Sequence, residues 1–174
     1  MTARRILVAG LGNIFLGDDA FGVEVVQRLA HRAMPEGVKV EDFGIRGFDL
    51  TYALMEDYDA VLLVDAMPRG DKPGTLYVLE PNATETTGQD EQEVAVETHG
   101  MNPMKVLQMV KAMGGQPRRV LIVGCEPATL GSEEEGQMGL SKPVQLAVPG
   151  AVDLVESLIT RIQNSDQTLA QGRV

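Results

Sequence analysis

The sequence predicts a single α/β domain with three α/β/α layers and a twisted, mostly parallel sheet of about five strands. Three observations favour this fold class. The chain has 174 residues, and one domain usually has roughly 100–200. Short apolar runs alternate with helix-like segments, and the runs are apolar throughout, as parallel strands covered on both faces are. No repeat or linker interrupts this order. We therefore expect one domain over residues 1–162 and a polar tail over 163–174.

The elements of the first half follow from apolar periodicity. An apolar run that ends on glycines is typical of a buried parallel strand, and a one-sided apolar stripe is typical of a surface helix. A helix over residues 21–33 carries such a stripe, with Val25, Val26 and Leu29 on one side. The predicted elements are a strand over 4–9, that helix, a strand over 38–43, a short helix over 48–56 and a strand over 60–64.

The second half continues the alternation between two long loops, over 80–98 and 126–143. Pro103 suits the first turn of a helix, where a main-chain N–H is not needed. The last helix has the clearest pattern, an i, i+3, i+4, i+7 stripe of Ala151, Leu154, Val155, Leu158, Ile159 and Ile162. The predicted elements are a strand over 74–79, a helix over 104–113, a strand over 120–123 and this last helix.

Composition excludes several classes of protein. Lys and Arg number 15 against 25 Asp and Glu, a net charge of −10, which disfavours nucleic-acid binding. No apolar run approaches the roughly 18 residues of a membrane helix, and the N-terminus does not resemble a secretory signal. The single cysteine, Cys125, allows neither an internal disulfide nor a cysteine-based zinc site. We expect a cytoplasmic protein that contacts no membrane.

The glycine-rich loop after the first strand permits two phosphate-binding interpretations, and neither fits well. A dinucleotide fingerprint starting at Gly10–Gly12 needs a glycine where Phe15 stands, although Asp42 could take the place of the ribose-binding acid. A P-loop needs Lys and Ser or Thr where Asp18 and Asp19 stand. Two carboxylates repel phosphate, so the loop suits a cation. Alternatively, either aspartate only caps the next helix.

Asp19, Asp65 and His99 are predicted to share the carboxyl edge of the sheet. Asp65 ends the most apolar strand, and His99 precedes the helix that begins near Pro103. Two carboxylates and one imidazole, with coordination positions left open, suit a divalent transition metal such as Zn²⁺ or Ni²⁺.

The other candidate side chains have simpler interpretations. Cys125 also ends a strand, so a Cys125–His99 nucleophile–base pair is conceivable, but a buried cysteine is more often a small core residue. His31 falls at the polar end of the first helix and should be exposed. The acidic run Glu133–Glu135 is most simply a solvated loop.

Several short segments occur along the chain in a definite order and spacing. They are Gly12-Asn13, Gly17-Asp18-Asp19, Val64-Asp65-Ala66, His99, Gly124-Cys125-Glu126-Pro127, Gly139-Leu140-Ser141 and Ala147-Val148. Together they resemble the [NiFe] hydrogenase maturation endopeptidases, and the resemblance extends from Ile6 to about Val155.

The resemblance implies an endopeptidase that removes the C-terminal extension of a hydrogenase large-subunit precursor after nickel insertion. It implies that Asp19, Asp65 and His99 are the metal-contacting and catalytic residues, with nickel supplied by the precursor and zinc or cadmium able to substitute in vitro. The resemblance fits a metal that serves only as a recognition tag and equally one that also activates water. The family is not one of cysteine peptidases, which weakens the Cys125 hypothesis. We expect a monomer whose partner is the precursor.

One loop departs from the family pattern. Many relatives have a glycine-threonine loop after the second strand, whereas this chain has Gly44-Ile45-Arg46-Gly47. We expect Gly44, Arg46 and Gly47 to bind the substrate tail. Arg46 could pair with Asp42 or with a site carboxylate, or it could bind a substrate carboxylate.

Two other functions and one hypothesis about charge stay open at this point. The alternatives are a nucleotide-binding protein that uses the Gly10–Gly12 turn and a non-enzymatic metal-binding maturation chaperone. The loop over 80–98 is rich in carboxylates and has no Lys or Arg, so it could favour a basic precursor segment. Its acidic residues include Glu85, Asp90, Glu91, Glu93 and Glu97.

Overall fold

In the computed structural model, five strands form one sheet. They are β1 (Ile6–Leu11), β2 (Val38–Gly44), β3 (Ala60–Ala66), β4 (Leu76–Leu79) and β5 (Val120–Cys125), in the order β2-β1-β3-β5-β4. Strands β2, β1, β3 and β5 are parallel, and β4 runs antiparallel to β5 at one edge. The structure describes residues 2–81, 101–131 and 136–170, of which 166–170 by main chain only. His99 and almost all of the predicted acidic loop lie outside these residues.

Helices cover both faces of the sheet. Helices α1 (Phe21–Ala30) and α4 (Lys142–Ala170) pack on one face, and α2 (Gly47–Leu54) and α3 (Pro103–Ala112) pack on the other. Alternate residues of β1 and β3 belong to the two cores, because successive side chains of a strand point to opposite faces. The predicted fold class is confirmed. No helix in the described part of the chain is both long and apolar enough to cross a membrane.

The structure differs from the predicted boundaries mainly at two places. Asp65 lies inside β3, which continues to Ala66, so this carboxylate is part of the sheet. Helix α4 runs from Lys142 to Ala170 and therefore takes in residues 163–170 of the predicted tail. That segment contains neither glycine nor proline, so nothing in its sequence ends the helix. Residues 171–174 lie outside the described part.

The start of α1 lies directly on the carboxyl ends of two strands. A Cβ atom on Gly22 would fall well inside van der Waals distance of the carbonyl oxygens of Val64 in β3 and Leu11 in β1. Only glycine allows this approach of helix backbone to strand backbone. The close contact keeps the 3₁₀ helix Gly17–Ala20, which precedes α1, at the carboxyl edge of the sheet.

Gly22→Ala is expected to lower the free energy of unfolding by about 2 kcal/mol. Overpacking costs typically about 1–3 kcal/mol, and it costs most where the obstructing atoms belong to backbone. The better helix propensity of alanine returns only about 1 kcal/mol. Chemical denaturation measures the change.

The matched control is Gly150→Ala in α4, where the nearest atom to a new Cβ is a leucine methyl of Leu76 at 3.4 Å. We expect this variant to keep its stability or to gain up to about 1 kcal/mol. Equal effects of the two substitutions would show that close packing of α1 on β1 and β3 is unimportant.

Candidate active site

Two of the three predicted site residues lie at the carboxyl ends of neighbouring strands. Asp65 is the penultimate residue of β3 and is 4% exposed. Asp19 lies in the 3₁₀ helix that follows β1, the strand next to β3. At Gly12 the main chain takes a φ of +132°, which favours glycine, and a Cβ there would collide with the Asp19 carbonyl oxygen. This turn brings the 3₁₀ helix back over the end of β1.

The Asp19 side chain is partly buried and is held by the loop that precedes it. The main-chain N–H of Asn13 donates a hydrogen bond of 2.8 Å to Asp19 Oδ2. Helix α1 has Ala20 at its N-cap and no side-chain cap. The alternative in which Asp18 or Asp19 caps this helix is therefore wrong, because both carboxylates face other parts of the chain.

Asp18 is fully buried and joins three distant segments of the chain. Its Oδ2 accepts hydrogen bonds from the N–H groups of Ala128 (2.8 Å) and Thr129 (3.1 Å) and from Ser141 Oγ (2.8 Å). Its Oδ1 accepts one from the Ser141 N–H (2.7 Å). Asp18 thus holds the loop after β5 and the entry to α4 against the 3₁₀ helix that carries Asp19. Sequence reasoning missed this role, since nothing in the local pattern links positions 18 and 141.

A cleft of about 320 Å³ opens at the same edge, between the loop after β1 and the loop after β2. Residues 12–15 and 42–46 line it together with Val23. Ile14, Phe15 and Ile45 have exposed side chains, with Phe15 58% exposed. Large apolar side chains grouped around a cleft are typical of a binding site.

Arg46 lies on the rim of this cleft, and its ion-pair partner is Asp49, which was not among the alternatives that the sequence offered. Its Nη1 lies 3.1 Å from Asp49 Oδ2, and its Nη2 donates to the main-chain oxygen of Asp42. The guanidinium also lies over the Phe43 ring, 5.7 Å from the centroid. Asp42, one of the alternatives, is thus contacted through its main-chain oxygen. The Arg46 side chain remains 54% exposed.

The two glycines predicted to bind substrate flank Arg46. Gly44 lines the cleft with a φ of +53°, and its carbonyl oxygen accepts a hydrogen bond from the Gly12 N–H at 3.0 Å. Gly47 begins α2. The main chain is therefore close to the surface of the cleft where a peptide could approach it.

Cys125 is a core residue. Its side chain is fully buried, and burial, with the charges of Asp18 and Glu126, raises the pKa of its thiol to about 12. A thiol with such a pKa stays protonated at neutral pH and is a poor nucleophile. The interpretation of Cys125 as packing is supported over the nucleophile–base pair.

The remaining predicted candidates divide into those the structure describes and those it does not. His31 follows the last turn of α1 and is exposed, as predicted. His99 and the run Glu133–Glu135 lie outside the described residues. Within the described residues, no three His, Cys, Asp or Glu side chains group closely enough to hold a metal ion.

The glycine-rich turn leaves little space for a phosphate. A Cβ on Gly10 would collide with Val26 of α1, and one on Gly12 would collide with the 3₁₀ helix. These glycines therefore serve close packing within the chain. In a dinucleotide-binding fold, the corresponding glycine lets the backbone approach the pyrophosphate. The packing argues against the nucleotide-binding alternative.

Comparison with known proteins identifies similar chains. The family model described as HycI, hydrogenase maturation protease, matches residues 23–158. The hydrogenase expression/formation protein HupD of Rhizobium leguminosarum bv. viciae is 32% identical over 87% of this chain and 72% of its own. The hydrogenase 2 maturation protease of Escherichia coli is 31% identical over 87% of this chain and 88% of its own.

A solved structure of similar fold supports the same relationship. The hydrogenase maturating endopeptidase HybD from Escherichia coli superposes with a TM-score of 0.70 and 30% sequence identity. The match covers 90% of this chain and 93% of that protein. Likeness in both sequence and fold thus extends over nearly the whole chain.

Proposed function

This chain belongs to the hydrogenase maturation protease family and is a peptidase, and on that premise we propose that it removes the C-terminal extension of a [NiFe] hydrogenase large-subunit precursor after nickel insertion. We place the reaction in the cytoplasm, with a monomer of this chain acting on the precursor. The observation that carries the proposal is the position of Asp19 and Asp65 at adjoining strand ends, with Asp19 hydrogen-bonded to Asn13, which lines the cleft.

We further propose that Asp19, Asp65 and His99 contact the nickel of the precursor, so that the metal belongs to the substrate. Asp19 and Asp65 supply carboxylate oxygens from elements whose main chain is fixed by close packing. Carboxylates combined with an imidazole suit Ni²⁺ and Zn²⁺, and zinc or cadmium should substitute in vitro. A metal held there could also act as a Lewis acid on the neighbouring peptide carbonyl.

The cleft between the loops after β1 and β2 is proposed to hold the substrate tail. Gly44 and Gly47 have no side chains, so an extended peptide could lie close to the main chain on both sides of Arg46. Apolar side chains on the rim offer contact area, and Arg46 keeps half of its side chain exposed. Its guanidinium can donate to a substrate carboxylate in exchange for Asp49, because exposed ion pairs are weak.

The test is to incubate this protein with nickel-loaded and nickel-free precursor and to weigh the products by mass spectrometry. We expect cleavage of the loaded precursor only, and we expect His99→Ala to abolish it. Asp153→Ala is the matched control, since Asp153 is exposed on α4, with 76% of its side chain accessible. Equal cleavage of both forms would refute recognition through nickel. Stable binding of the loaded precursor without cleavage would instead favour the metal-binding chaperone.

A further inference from the structure

The edge strand β4 places an aromatic residue beside Asp65. In the sheet register Asp65 is paired with Gly124 of β5, and Gly124 is paired with Tyr77 of β4. Residues paired across neighbouring strands point to the same face of the sheet. Asp65, Gly124 and Tyr77 therefore lie in one row on the face covered by α2 and α3.

Gly124, the middle residue of this row, has no side chain, and the Tyr77 ring occupies the space that a side chain would fill. A Cβ on Gly124 would collide with the ring and would stand 2.7 Å from the phenol oxygen. The ring thus extends over β5 towards Asp65. Burial raises the pKa of the Tyr77 phenol, the Arg69 guanidinium lowers it, and the carboxylates of Glu126 and Asp65 raise it again.

The Tyr77 hydroxyl also holds the chain that leaves β3. It donates a hydrogen bond of 2.7 Å to the main-chain oxygen of Met67, two residues after Asp65. The Met67 N–H in turn donates to the Cys125 oxygen at 3.1 Å. The main chain next to Asp65 is therefore anchored on both sides, by β5 and by the phenol.

A second layer of contacts fixes the ring itself. The Arg69 guanidinium lies over the Tyr77 ring, 4.6 Å from its centroid. Glu126, which is 6% exposed, accepts hydrogen bonds from the main-chain N–H groups of Arg69 (2.7 Å) and Gly70 (3.3 Å). A buried carboxylate thus orders the turn that carries Arg69, and the cation covers the outer face of the phenol.

We propose that Tyr77 is a positioning residue for Asp65, with its ring shielding this carboxylate from solvent and its hydroxyl holding the main chain that follows. The inference rests on the proposed function, because it takes Asp65 as a residue of the site. The shielding itself is a property of the folded chain and can be measured without any precursor.

The first test measures how accessible Asp65 is. A water-soluble carbodiimide with glycine ethyl ester labels exposed carboxylates, and mass spectrometry of peptides reports labelling at Asp65. We expect little labelling in the wild type and in Tyr77→Phe, and at least about fivefold more in Tyr77→Leu, because the ring that excludes solvent is gone. Val78→Ala, next in the same strand but on the opposite face, is the control and should leave labelling unchanged. Unchanged labelling in folded Tyr77→Leu would overturn the proposal.

The second test separates positioning from a merely structural role. With nickel-loaded precursor, Tyr77→Leu should lower kcat about tenfold and Tyr77→Phe about threefold, with KM nearly unchanged in both. A lower Tm with unchanged kcat per folded molecule would show that Tyr77 only stabilises the fold, and would overturn the proposal. Tyr77→Phe keeps the ring and should fold, so an unchanged kcat in this variant refutes the role of the hydroxyl even if Tyr77→Leu does not fold. Increased labelling in Tyr77→Leu together with a wild type that cleaves no precursor would support shielding and refute the proposed function.

Discussion

Asp65→Asn is expected to lower kcat/KM for nickel-loaded precursor by at least about a hundredfold, because the amide keeps the shape of the side chain but loses the charge that we propose contacts the metal. Asp19→Asn should have an effect of the same order. Stability should change little in Asp65→Asn, since a neutral side chain is less costly to bury than a carboxylate. Product formation followed by mass spectrometry measures the rate, and thermal unfolding checks the fold.

Two further variants show whether the loss of activity is specific to the candidate site. Asp153→Asn on α4 changes an exposed carboxylate and should leave kcat/KM unchanged. Arg46→Ala, on the rim of the cleft, should mainly raise KM, since the proposed contact of Arg46 with the substrate tail would be made equally in the bound substrate and the transition state. An Asp65→Asn variant that cleaves at the wild-type rate would exclude Asp65 from metal recognition.

Asp18→Ala is expected to lower the free energy of unfolding by about 3–5 kcal/mol, as removal of one partner from a buried charged group does. The substitution leaves three main-chain N–H groups and the Ser141 hydroxyl without their acceptor. Each unsatisfied buried donor costs roughly 1–3 kcal/mol, although water entering the space recovers part of it. Urea denaturation monitored by circular dichroism gives the change.

The control for this variant is Asp153→Ala, which breaks only a long, exposed contact with Arg32 at 3.8 Å. Its effect should stay within about 0.5 kcal/mol. Asp18→Asn should lie between the two, since its carbonyl oxygen can accept while its amide group opposes the donors. If Asp18→Ala were as stable as the control, the loop after β5 and the start of α4 would be held by other contacts.

Much of the fold could be predicted from local pattern. The strands at residues 60–64 and 120–123 are apolar runs buried on both faces, and each lies within the strand that the structure shows. The apolar stripe of the last helix likewise faces the core. The ends of elements were less predictable. Helix α4 continues to Ala170 because a polar segment without glycine or proline remains compatible with a helix.

The candidate site was predictable in part, and for a topological reason. The carboxyl ends of parallel strands meet at one edge, so residues that follow two such strands can be placed together without coordinates. Asp19 and Asp65 were located in this way. The pairing of Arg46 with Asp49 could not be predicted in this way, because it depends on where α2 begins and on the rotamer of the Arg46 side chain.

Taken alone, the sequence determined the α/β class, the five strands, the carboxyl edge as the place of the candidate site and the family resemblance. Only the tertiary structure decided which side chains meet there. Asp18 binds Ser141 across 123 positions, and Tyr77 reaches Met67 only because Gly124 leaves room for its ring. Hydrophobic periodicity records which face of an element is buried. It carries no information on how loops fold over one another, and the partners of buried polar groups depend on that packing.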